Sequence, residues 1–179
     1  SGGTLHYNSP TAVSANGASA WIITGGNLDN SSSGPIASTG NPLMQWNGNF
    51  TFLGSLGAAS DLNLGTGAVT MNATRTVTVQ NAATTLTVGG VISGAAFGLT
   101  KAGDGTLALS GVNAYTGATT ISAGTLSLTN ALALQNSALD TTNSIAGDAS
   151  NGLRTTQAAL ILGGLTGNKN FAATGGVFT

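Results

Sequence analysis

The stretch that most constrains this chain is residues 98–128, GLTKAGDGTLALSGVNAYTGATTISAGTLSL. It breaks into short alternating runs, LTK, TLALS, ATTIS and GTLSL, each closed by Gly, Asn or Ala-Gly. Such alternation is the period-two signature of a strand, and small residues at each close mark turns. Related strings lie on either side, LTVGGVISG at 86–94 and LILGGLTG at 160–167. A unit this short cannot bury its apolar face alone. Stacking successive units buries it, and the product is a solenoid.

The spacing sets the coil. Val69 to Val91, Val77 to Leu99 and Leu99 to Ile121 are each 22 residues apart, and Leu86 to Leu107 is 21. Three strand positions therefore return after about 22 residues. The expectation is an all-β chain folded as a right-handed parallel β-helix, a β-solenoid of three strands per coil. Inward Val, Leu and Ile would stack at ~4.8 Å per coil, giving about eight coils and a rod of about 40 Å. The whole chain, 1–179, reads as one domain, with 1–48 less regular and 49–179 regular. Residues 25–42 are rich in Asn, Ser and Gly with two prolines and read as a loop. Residues 130–139, NALALQNSAL, also suit one or two helical turns capped by Asn130. A longer echo relates 86–107 to 160–178, with Gly89 and Gly163 in matching places.

Composition agrees with stacked strands. Charged residues make up 5% of the chain and there is no Glu. Helices want Glu, Lys, Arg and Gln on the exposed face, whereas Thr, Ser, Asn and Gly fill this one. The net charge is −1, and Arg75, Lys101, Arg154 and Lys169 are scattered. That excludes nucleic acid and an anionic membrane surface, each of which needs clustered cations. Cys is absent, which removes disulfides and thiolate metal sites. No apolar run reaches the ~18 residues of a spanning helix, so no membrane insertion by this segment is expected. The Ser-Gly-Gly start is not a signal peptide, so the chain reads as a mature piece or part of something larger.

The turn residues have structural reasons to be where they are. Gly103, Gly105, Gly111, Gly117 and Gly124 fall at strand ends, where a corner needs positive φ or close backbone approach. Asn81 and Asn113 sit at turns, where an amide side chain bonds neighbouring backbone. Tyr115 is expected to pack on the coil surface with its hydroxyl reaching a turn. Lys101 and Asp104, three apart across a turn, read as a weak surface pair.

Candidate chemistry is sparse. A Ser-His-Asp triad would need the single histidine, His6, which nothing in the sequence orients. No catalytic, metal-binding or cofactor-binding residue is expected. Polysaccharide cleavage would need paired carboxylates, and only stacking of Asp104 near Asp140 or Asp148 offers one. AGDGTL at 102–107 is a fragment of a calcium-binding roll motif, present once. The 27 Thr suggest a flat hydroxyl face, yet Thr74/Thr76, Thr76/Thr78 and Thr85/Thr87 do not recur as pairs one coil on. Thr100 and Ala108 stand there instead, which argues against an ice-ordering plane. Trp21 and Trp46, with Tyr7, are the aromatics able to meet a glycan; core or cap packing is the plainer reading.

Residues 99–128 resemble the autotransporter-associated beta strand repeat, also called the passenger-associated transport repeat. The matching pattern is L-T-K-x-G-x-G-T-L-x-L-S-G followed by N-x-Y-T-G-x-T-T-I-x-x-G-T-L. Its positions include Leu99, Gly103, Gly105, Leu107, Gly111, Asn113, Tyr115, Gly117 and Gly124. Weaker likeness extends from Trp21 to the end. The resemblance implies part of a large secreted or surface-displayed bacterial protein with a β-helical stalk, and no catalytic residues. The expected function is structural: an extracellular rod or fibre segment at the bacterial surface. Expected partners are other copies joined head to tail, flanking repeats of a larger surface protein, or extracellular glycans if the segment is an adhesin module. Open coil ends are sheet edges, which template pairing with another chain.

Overall fold

A computed structural model describes residues 3–11, 20–142, 152–168 and 177–178. The short alternating runs fold as short parallel strands that wind in coils. After β1 (Thr4–His6) come four coils of three strands each. They are β2 (Trp21–Ile23), β3 (Asn27–Asp29), β4 (Ile36–Ala37); β5 (Met44–Trp46), β6 (Phe50–Phe52), β7 (Leu62–Asn63); β8 (Val69–Met71), β9 (Arg75–Val79), β10 (Thr85–Val88); and β11 (Ile92–Ser93), β12 (Leu99–Ala102), β13 (Thr106–Leu109). Two coils of two strands follow, β14 (Thr119–Ile121) with β15 (Thr125–Leu128), and β16 (Leu134–Asp140) with β17 (Gly152–Thr155). The rest is β18 (Ala159–Leu160), β19 (Leu162–Thr166) and β20 (Val177–Phe178).

Three parallel sheets form the walls. Wall A runs β1-β3-β6-β9-β12-β14-β16-β19, wall B runs β2-β5-β8-β11 and wall C runs β4-β7-β10-β13-β15-β17, while β18 pairs with β20. The chain is thus an all-β solenoid of about six turns. The expected loop at 25–42 holds β3 and β4, strands too short to show a period. Residues 131–133 form a turn, with Leu132 N donating to Asn130 Oδ1 at 2.9 Å, and the following residues are strand β16 rather than helix. The echo between 86–107 and 160–178 does not place its halves alike: Gly89 follows a wall C strand, whereas Gly163 lies within wall A.

The core is a set of vertical ladders. On wall C, Ile36, Leu62, Leu86, Leu107, Leu126 and Leu153 stand one above another, all buried. Each contributes ~1.5–3 kcal/mol by leaving water. Wall A carries Leu28, Phe52 and Val79 in one column and Phe50, Val77, Lys101 and Ile121 in another.

The spacing is less uniform than a 22-residue coil. Leu86 pairs with Leu107 as expected. Val69, however, pairs with Ile92 rather than Val91, Val77 with Lys101 rather than Leu99, and Leu99 with Thr119 rather than Ile121. The walls keep register while the corners change length. An odd shift exchanges inward for outward, so Ile92 is buried and Val91 exposed. The same register aligns Thr76, Thr100 and Thr120 on wall A and Thr85, Thr106 and Thr125 on wall C. Single threonine columns therefore do continue; the paired columns break at Ala102 and Ala108.

Two corners require glycine. Gly103 has φ +75° and Gly124 φ +65°, and a Cβ on either would stand 2.3 Å from a carbonyl oxygen, that of Val79 or of Gly103. At Gly105, Gly111 and Gly117 close approach to the preceding coil leaves no room for a Cβ.

Candidate functional site

The repeat segment builds its corners from buried polar side chains. Lys101 does not lie on the surface beside Asp104. It follows Phe50 and Val77 in the inward column of wall A and is 0% exposed. Its Nζ donates to the carbonyls of Ala102 (2.9 Å), Gly103 (2.7 Å) and Ala123 (3.1 Å). The stem fills the core while the ammonium caps the A–C corner of its own coil and the next. Burial pulls its pKa down to about 8, against the opposing pull of the Asp104 charge. An apolar column read from sequence gives no hint of this, because lysine is ordinarily read as solvent-facing.

Asn113 replaces a strand. Past β13 wall B has no further strand among the described residues, and the buried Asn113 side chain carries the ladder onward. Its Oδ1 accepts from Ile92 N at 2.9 Å and its Nδ2 donates to Ala133 O at 3.0 Å. One amide thus does what a backbone peptide does in the coils before it.

Tyr115 is fully buried, not packed on the coil surface. Its hydroxyl lies 2.7 Å from Thr119 Oγ1, which lies 2.8 Å from Ser137 Oγ, which donates to Gly117 O at 2.7 Å. Since Ser137 spends its one proton on Gly117, Thr119 donates to Ser137 and Tyr115 to Thr119. Burial pushes the Tyr115 phenol up to about 12, partly offset by the bonds with Thr119 and Ser137. Leu99 and Leu107 are wall positions of the core, in A and C.

The two tryptophans part company. Trp46 is fully buried, edge-on to Phe50 at 5.2 Å, and offers no face to a ligand. Trp21 is half-buried, 6.3 Å from Tyr7, and lines a cleft of about 200 Å³ with Leu5, Ile22, Phe50 and the backbone of residues 24–26. Asn27 also lines it. A second hollow, about 270 Å³, lies on wall C among Pro35, Asp61, Asn63, Thr85 and Thr87.

His6 stands opposite Asp29 in the β1–β3 ladder, Nδ1 3.9 Å from Oδ2. Ser55 donates to that same carboxylate, from N at 3.1 Å and from Oγ at 2.6 Å. The carboxylate thus stands between serine and histidine, the wrong order for a triad in which the imidazole takes the serine proton. Asp104 is exposed at the corner after β12, and Asp140 lies on wall A opposite Thr120. Neither lines the Trp21 cleft or the wall C hollow. Asp148 lies outside the described residues. Among the described residues no group of three or more His, Asp or Glu could hold a metal ion, and no helix is long and apolar enough to cross a membrane.

The A–C corners held by Lys101, Gly103 and Gly124, and the Asn113 bridge after β13, fall within a known family's repeat. Residues 99–128 match the passenger-associated-transport-repeat. The chain carries this family's repeat. Over 122 residues, 68% of its length, it is 39% identical to the adhesin BmaC autotransporter of Brucella suis biovar 1 (strain 1330). It spans 3% of that relative's length. No solved structure matches the chain. In this passenger-associated transport repeat, the turn between LTK and GTL is the Lys101 corner, and the Asn of N-x-Y-T-G is the Asn113 bridge.

Proposed function

We propose that this chain is a non-enzymatic length of stiff β-helical rod in a secreted or cell-surface bacterial protein, able to join end to end with other copies. The observation that carries the reading is wall A, eight parallel strands laddered along one axis. Support also comes from the passenger repeat and from the relative named as an autotransporter adhesin. The polar side chains inside the repeat are spent on corners rather than gathered round a cavity. End association is supported by the edge strands of wall A. Leu5 on β1 stands in the column of Leu28, and Leu165 on β19 in the column of Leu139, yet both are exposed. A sheet edge with exposed core positions is a template for another chain. Electron microscopy with native mass measurement tests it. Filaments with an axial repeat near one chain length are expected; monodisperse monomers at all concentrations overturn end-to-end joining.

The Trp21 cleft favours a second reading, an adhesin module for a neutral glycan. Its lining combines Trp21 and Phe50 with the polar Thr24 and Asn27 and has no charged side chain. Acrylamide quenching separates the accessible Trp21 from the buried Trp46, so protection by neutral hexosides reports on the cleft. Absence of protection at saturating methyl hexosides removes this reading.

A further inference from the structure

The corner between walls C and B carries a row of exposed aliphatic side chains that the fold does not use. Pro42, Gly67, Gly90 and Gly111 stack there so tightly that a Cβ on each glycine would stand 1.8–2.4 Å from a carbonyl oxygen of the coil before. The residue after each points outward. Leu43 is 50% exposed, Val91 41% and Val112 38%, with Ala68 exposed between Leu43 and Val91. Backbone bonds fix the row: Trp21 N donates to Leu43 O, Met44 N to Ala68 O and Val69 N to Val91 O, all at 2.7–2.8 Å.

Water-facing aliphatic residues scattered singly need no explanation, but a contiguous row marks a contact surface. We propose that this ridge pairs side by side with the same ridge of a second copy. Two observations select that occupant. The ridge repeats at the coil spacing of ~4.8 Å, so only a surface with that spacing meets it along its whole length, and another solenoid has it. Among the described residues the ridge is also free of charge: Asp61, Arg75, Asp104, Asp140 and Arg154 lie on walls A and C or on other corners, so pairing buries none of these ions. Self-pairing of one surface is isologous, and the two rods are related by a two-fold axis.

The area sets the strength. Four coils at ~4.8 Å give a strip of roughly 20 Å by 10 Å, or ~200 Å² per copy, against ~800 Å² per partner for a stable complex. Pairing of this segment alone is therefore weak and exchanging. It strengthens with each further coil engaged, by the effective concentration that the coils already paired provide. Nothing in it depends on end-to-end joining.

The chain has no cysteine, so single cysteines report cleanly. Val91→Cys and Val112→Cys are oxidised in parallel with Thr100→Cys, which sits on the outer face of wall A. Disulfide-linked dimers are expected to form several-fold faster from the two ridge variants, and Leu43→Lys in the same chain abolishes the difference. Circular dichroism of each variant confirms that the solenoid persists. Equal rates at ridge and control positions overturn the proposal, as does a ridge rate untouched by Leu43→Lys.

Discussion

Lys101 Nζ lies 3.1 Å from the carbonyl oxygen of Ala123, one coil further along the chain. The apolar ladders between coils carry no direction of their own; this contact is directional and buried. Its ammonium finds all three acceptors only when the following corner is already in place.

Lys101→Ala is expected to destabilise the fold by ~2–4 kcal/mol, through a void and three carbonyls left without a donor. Lys101→Met keeps the stem volume and costs less. The pKa falls from 10.5 unfolded to about 8 folded, so between those values the unfolded chain holds more protons. Stability of the native sequence therefore rises as pH climbs from about 8 towards 10.5, and the methionine variant lacks that rise. Urea unfolding at a series of pH values measures both.

Asn113→Ala removes an acceptor for Ile92 N and a donor for Ala133 O at a site without water access, at a cost of about 1–3 kcal/mol. Asn113→Asp costs more, because a carboxylate then faces the Ala133 carbonyl. Hydrogen exchange gives a local readout: the Ile92 amide loses protection in both variants before global unfolding.

The two tyrosines respond oppositely to loss of the hydroxyl. Tyr115→Phe breaks a three-hydroxyl chain and destabilises by about 1 kcal/mol. The buried Tyr7 hydroxyl has no partner among the described residues, so Tyr7→Phe is neutral or stabilising by up to ~1 kcal/mol. In Tyr7→Phe the one remaining phenol is Tyr115. Its tyrosinate absorbance should not develop until pH approaches about 12 or the fold is lost.

Gly103→Ala and Gly124→Ala combine a left-handed backbone with a carbonyl 2.3 Å from the new methyl, and each is expected to cost more than ~2 kcal/mol. Thermal unfolding, with Gly152→Ala as a comparison at positive φ in open space, separates the steric part from the conformational part.

Much of this architecture was legible because a strand-and-turn alphabet leaves few alternatives. The Leu86–Leu107 ladder could be counted from spacing, since that coil has the 21 residues its apolar positions show. Val91 could not be placed that way: a one-residue longer coil moves Ile92 inward and turns Val91 into part of the exposed ridge. Residue type hid Lys101, whose core position depends on three carbonyls that exist only after folding. Strand length hid β3 and β4, which are set by the neighbours they pair with rather than by their own pattern. Trp46 and Trp21 looked equivalent, and only the stack shows that β5 has a strand on both sides while β2 ends wall B among the described residues.

The ladders of wall A run parallel to the rod, so a pull along the axis loads the coils in series. Such a molecule does not snap as a unit; it unwinds from one end, a turn at a time. Each turn of about twenty residues pays out roughly 70 Å of chain. A tether built this way yields in steps at low force, absorbing work over a length many times its folded one, and rewinds when slack returns.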